Sequence, residues 1–101
     1  MPYTFTRSQE LFTRAQRSIA AGVNSGIRKM EAPVPLYFTR GTGPHLWDVD
    51  GNHYLDFQLG QGAIFYGHAP AGMADAIAAQ ARLGTHWAAQ SELEIEVAER
   101  L

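Results

Sequence analysis

The sequence predicts an α+β segment: an N-terminal helix, a three-stranded antiparallel meander and two further helices. Three observations predict it. An apolar stripe at helical spacing runs through residues 6–21, alternating residues between turn clusters fill 34–59, and two capped helical stripes fill 71–101. With 101 residues, 46% apolar and 18% charged, the chain has ordinary globular composition and the length of one domain at most.

The first helix follows from Leu11, Phe12, Ala15 and Ile19, which recur at i, i+1, i+4 and i+8, with Arg7, Arg14 and Arg17 away from the stripe's centre. Thr6 and Gln9 stand at capping-box spacing, Ser8 is a competing N-cap, and Gly22 is the expected stop. In the meander, Leu36-Tyr37-Phe38-Thr39 is β-prone and Gly41-Thr42-Gly43-Pro44 is a turn cluster. His45 to Val49 alternates, placing Trp47 and Val49 on one face and Leu46 and Asp48 on the other. Asp50-Gly51 signals a hairpin, and His53 to Phe57 returns with Leu55 and Phe57 sharing a face. Three short strands need a cover, supplied by the first helix or by protein beyond the chain.

Met73, Ala74, Ile77, Ala78 and Ala81 make an alanine-rich helical stripe, with Asp75 early, Arg82 late and Gly84 as the stop. Ser91 and Glu94 form a second capping box, followed by Leu93, Val97 and Leu101. The stripe still runs at Leu101, so the chain is expected to be truncated.

Composition excludes several functions. A net charge of −2 provides no basic field for nucleic acid, and the absence of Cys removes a disulfide scaffold, a thiolate metal site and a Cys nucleophile. Residues 1–7 lack a signal-peptide pattern and no apolar run approaches a membrane span, so no membrane partner and a cytoplasmic location are expected. Lys29 is the only lysine, against seven arginines.

His45, His53, His68 and His86 lie 8, 15 and 18 residues apart, without the helical pairing of a compact metal site, and read as structural or surface groups. No metal is expected. Asp48, Asp50 and Asp56 surround a hairpin without a calcium-loop pattern and read as turn chemistry. Gly60-Gln61-Gly62 and Gly67-His68 surround Ala63 to Tyr66 and allow close backbone approach to a ligand or another chain, without completing a phosphate-loop pattern. The polar loop Gly22 to Arg28 carries Ser25 and Arg28, a hydroxyl and a guanidinium three residues apart. Arg suits bidentate carboxylate recognition, although loop arginines are more often solvated charges.

The run Gly22-Val23-Asn24-Ser25-x-x-Arg28, then Arg40-Gly41-x-Gly43, Leu46-Trp47-Asp48-Val49-Asp50-Gly51-Asn52, Gly67-His68 and Ser91-Glu92-Leu93-Glu94 resembles the class III pyridoxal-phosphate-dependent aminotransferases. The Gly-Val-Asn-Ser-x-x-Arg run is most similar to the start of their glutamate-1-semialdehyde 2,1-aminomutase branch. The resemblance implies a fold type I transferase, α/β when intact, with residues 1–59 in the small domain and 60–101 opening the large one. It implies that Arg28 holds a substrate carboxylate beside Ser25, and that Gln61 stands where the aminomutases usually have Trp, an amide in place of a flat apolar wall. Gly26 and Ala21 replace the usual Pro and Gly.

The resemblance also implies pyridoxal 5'-phosphate as cofactor, bound by residues beyond Leu101, so that no catalytic or cofactor-binding residue falls in this segment and the chain alone is inactive. The implied intact enzyme is a homodimer acting on a small amino acid or amine. In the aminomutase branch the amino group moves within one molecule, from glutamate-1-semialdehyde to 5-aminolevulinate. An intermolecular transaminase is the alternative that Gln61 favours. A stand-alone, non-catalytic interaction module or a degraded gene product is the alternative of another class.

Overall fold

A computed structural model describes residues 2–101. The chain divides between Pro70 and Ala71 into two compact units.

In the first unit, helix α1 spans Thr6–Ala15, followed by 3-10 turns at Ala20–Gly22 and Gly26–Met30. Strands β1 (Phe38–Thr42), β2 (His45–Asp48) and β3 (His53–Leu55) form an antiparallel sheet in the order β1-β2-β3. The expected meander is present, with different edges.

Helix α1 ends at Ala15 where the periodicity predicts residue 21. Gly22, at φ +74°, lies so close to Phe12 that an added Cβ would fall 2.8 Å from the ring. That approach pulls the chain out of the helix through tighter bonds, from the Arg17 N–H to the Arg14 carbonyl and from the Ser18 N–H to the Ala15 carbonyl. The helix start also differs. Phe5 is the N-cap residue, no local side chain caps it, and Thr6 is already helical. The donors are satisfied from a distance: Asp50 accepts from the N–H of Arg7 at 2.6 Å and from the N–H of Ser8 at 2.9 Å.

The turn cluster is shorter than predicted. Gly41 pairs with Leu46 and Thr42 with His45, leaving Gly43 and Pro44 as the loop. A bulge at Thr39 interrupts the register between Phe38 and Arg40. The β2–β3 loop is built around Asp48, which is buried and accepts from the backbone N–H of Asp50 and Asn52, from the Asn52 side chain and from the Tyr54 hydroxyl at 2.7–3.0 Å. This is the expected turn chemistry. Burial first, and then the Asp48 carboxylate, push the Tyr54 phenol well above its usual pKa, so it stays a donor.

Strand β3 stops at Leu55, short of the predicted Phe57. The Asp56 carboxylate accepts from the N–H of Gln58 and Leu59, turning the chain and leaving Phe57 91% exposed. Helix α1 does not cover the sheet. Tyr3 stacks on Tyr54 at 5.2 Å, Phe38 meets Tyr54 edge-on, and Val34 is the buried apolar side chain among the described residues. The 60–70 stretch returns to the sheet through paired backbone hydrogen bonds between Gly43 and His68. The close approach of Gly67 is therefore to its own chain, since a Cβ there would fall 2.9 Å from the Gly43 carbonyl oxygen.

The second unit holds helices α2 (Met73–Leu83) and α3 (Glu92–Arg100). Gly84 ends α2, with its N–H on the Gln80 carbonyl, and the Trp87 ring closes against it. Ser91 precedes α3 and its N–H donates to Glu94 Oε1 at 3.0 Å, as the capping box predicts. Ile77, Leu93 and Val97 are more than half, or half, exposed. None of the described helices is long and apolar enough to cross a membrane.

Candidate functional site

The loop after α1 builds the candidate site. Ser25 adopts extended backbone and its carbonyl accepts from the Arg28 N–H at 3.0 Å, which starts the second 3-10 turn. The turn brings Arg28 over Asn24, whose side-chain oxygen accepts from Arg28 Nε at 2.8 Å. Glu31 approaches from the other side, with its Oε1 3.9 Å from Arg28 Nη1, while its Oε2 accepts from the Leu36 N–H at 3.1 Å. Asn24 thus uses one donor of the fork and Glu31 orients another. The pair remains half exposed, so their attraction is modest.

Arg28 borders a cleft of about 590 Å³ whose walls include Leu36, Phe38, Tyr54, Phe57 and Ile64. Arg28 and Glu31 also border a neighbouring cleft of about 410 Å³. Apolar walls with one guanidinium at the rim suit a small molecule that carries a carboxylate. Asp56 and His68 lie on the wall of the larger cleft, joined at 2.7 Å between Asp56 Oδ2 and His68 Nε2. The Leu59 N–H, followed by His68 and the Gln58 N–H, hold the Asp56 carboxyl below its usual range. Asp56 is therefore a fixed anion that locks the 60–70 stretch onto the sheet.

Of the three residues predicted for the site, the structure brings Arg28 to the clefts. Ser25 lies at the start of the same turn and borders neither. Gln61 is exposed at φ +61° in the turn after β3 and also borders neither, although Gly60 and Ile64 on each side of it do. Asn24 and Glu31 are the site residues that sequence reasoning missed. Their signal was the spacing to Arg28, at i−4 and i+3, which one helical turn converts into contact.

Pyridoxal phosphate needs a lysine for its aldehyde and donors for its phosphate. Lys29 is exposed and borders neither cleft, and no other lysine exists. The described residues do not form a site for that cofactor.

No family model matches the chain. Curated relatives do. The glutamate-1-semialdehyde 2,1-aminomutase of Chloroflexus aggregans is 45% identical over 96 residues, covering 93% of this chain and 22% of that protein. A transaminase structure with pyridoxal phosphate bound superposes with a TM-score of 0.85 at 33% identity, covering 97% of this chain and 23% of the other. A glutamate-1-semialdehyde aminomutase structure from Pseudomonas aeruginosa gives 0.81 at 32% identity, covering 90% and 20%. The chain spans about a fifth of the length of the curated relatives it matches. Sequence and fold agree across nearly the whole chain, which belongs to the family of glutamate-1-semialdehyde 2,1-aminomutases and pyridoxal-phosphate transaminases as a segment of it.

Proposed function

We infer that this chain supplies the substrate-carboxylate loop of an aminotransferase or aminomutase of the glutamate-1-semialdehyde 2,1-aminomutase type. The observation that carries the reading is Arg28, oriented by Asn24 and bordering an apolar-walled cleft. With Nε engaged by Asn24, the two terminal nitrogens are the pair that meets a carboxylate end-on. The apolar walls exclude water from that contact and strengthen it.

Pyridoxal phosphate supplies the electron sink for amino transfer when bound, and the resemblance assigns its site to residues outside this segment. The chain's own residues bind and orient. In this reading the enzyme is a fold type I homodimer in the cytoplasm, acting on a small amino acid or amine, as the resemblance implies. Residues 1–59 contribute to its small domain and 60–101 open the large one. A second reading, an intermolecular transaminase, is favoured by Gln61, whose amide stands where the aminomutases usually have Trp.

The test is kinetic, on the complete enzyme carrying this segment. Lys in place of Arg28 keeps the charge but loses the fork. A charge-assisted contact is worth ~1.5–3 kcal/mol, so Arg28→Lys should lower kcat/KM for a carboxylate-bearing substrate by roughly ten- to a hundred-fold. An amine without the carboxylate should lose little. Equal small losses for both substrates would make Arg28 a solvated loop residue.

A further inference from the structure

Two histidines that their spacing keeps apart meet on the outer face of the sheet. His45 pairs across the ladder with Leu55 and His53 with Trp47, which makes the two histidines diagonal neighbours on one face. Their rings close the diagonal: His45 Nδ1 lies 2.9 Å from His53 Nε2, with ring centres 4.8 Å apart. Trp47 stacks on His53 at 4.8 Å and holds it in place. None of these contacts belongs to the Arg28 clefts.

We propose that His45 and His53 form a two-histidine chelate for a divalent transition-metal ion of the copper(II) type. Two metal–nitrogen bonds of ~2.0 Å at a right angle place their nitrogens ~2.8 Å apart, whereas a tetrahedral angle needs ~3.3 Å. The observed 2.9 Å fits the right angle of a tetragonal ion. Among divalent first-row ions copper(II) also binds nitrogen sites most tightly.

Binding replaces the hydrogen bond between the rings. The proton on the bridging nitrogen moves to the other nitrogen of the same imidazole, and each ring turns its freed lone pair to the shared ion. The neutral pair thus releases no net proton. Among the described residues no third His, Cys, Asp or Glu joins the cluster, so water completes the coordination. Arg40, whose guanidinium lies 3.7 Å from the Trp47 ring centre, opposes the ion with its charge.

The test is titration of the chain with copper(II) chloride, read by tryptophan fluorescence in a Trp87→Phe background, where Trp47 is the remaining fluorophore. Copper beside the ring that Trp47 stacks on should quench it saturably at one equivalent. His45→Gln and His53→Gln should each weaken binding at least tenfold, whereas His86→Gln should leave it unchanged. Electron paramagnetic resonance of the copper-loaded wild-type chain should show two equatorial imidazole nitrogens. One nitrogen in the wild type, or quenching that survives both substitutions or is lost in His86→Gln, would overturn the proposal. The wild-type resonance spectrum decides even where a variant loses its far-UV circular dichroism.

Discussion

Ser8 and Asp50, 42 residues apart in sequence, are joined at 2.6 Å between the Ser8 hydroxyl and the Asp50 carboxylate. The same carboxylate accepts from the backbone of Arg7 and Ser8, so a residue of the β2–β3 loop serves as the cap of α1. Ser8, fully buried, marks the junction. This contact ties the first helix to the sheet that presents the Arg28 cleft.

The cap makes a prediction about acid. Desolvation raises the Asp50 pKa, but the Ser8 hydroxyl and the N–H groups of Arg7 and Ser8 outweigh it, and the net shift is downward from 3.8. A depressed folded value contributes stability that is complete above the unfolded pKa and is lost as pH falls through the folded one. Asp50→Asn should therefore lower the thermal midpoint at neutral pH and flatten its decline below about pH 4, a window set by the ordinary carboxyl value. Midpoints from circular dichroism across pH 2–7 check both parts, and an unchanged acid slope would contradict the cap.

Gly41 offers a second test. A Cβ built there would fall 2.5 Å from the His68 ring and 2.8 Å from the His68 Cβ. Because Asp56 and the Gly43 ladder hold His68, the ring cannot move aside. Gly41→Ala should destabilise the first unit by ~1–3 kcal/mol, the range for overpacking. Urea unfolding of the variant, and of Gly41→Ala combined with His68→Ala, measures it; the double variant should recover part of the loss.

Glu31 should act as a competitor at the proposed carboxylate site, because it already sits 3.9 Å from the arginine fork. Glu31→Gln in the complete enzyme should lower KM for a carboxylate substrate about two- to fivefold, matching ~0.5–1 kcal/mol for a half-exposed pair. KM for an amine lacking the carboxylate should not change. A rise in KM for the carboxylate substrate would mean that Glu31 positions Arg28 productively.

Lys29 predicts the behaviour of the chain toward pyridoxal phosphate. Exposed and outside both clefts, it should react no better than a generic amine. Absorbance titration against a lysine-containing peptide makes the comparison, and a saturable change lost in Lys29→Ala would refute it.

The uncovered apolar side chains predict self-association. Leu55 is 58% exposed and Phe57 91%, Phe65 and Tyr66 project beside them in sequence, and short chains bury a smaller share of their surface than long ones. Light scattering should give a mass above one chain that falls on dilution. A monomer with a cooperative thermal transition would be the contrary result.

The sequence by itself determined the parts whose partners are neighbours along the chain. Helix α2 runs to Gly84, α3 begins behind Ser91 and Glu94, and Asp48 folds the loop that joins β2 to β3, because each depends on bonds within a few residues. The motif run through Arg28 likewise placed the chain in its family. Tertiary structure decided the rest. Helix α1 starts where Asp50 reaches it and stops where Gly22 meets Phe12. Gly41 joins a strand with the His68 ring packed against its bare Cα, and His45 finds His53 across a diagonal. Arg28 became a residue bordering a cleft only when β1, β3 and the 60–70 stretch closed walls beside it. Local spacing carries no information about such partners, since their separation in space is set by the register of the sheet and by long-range hydrogen bonds.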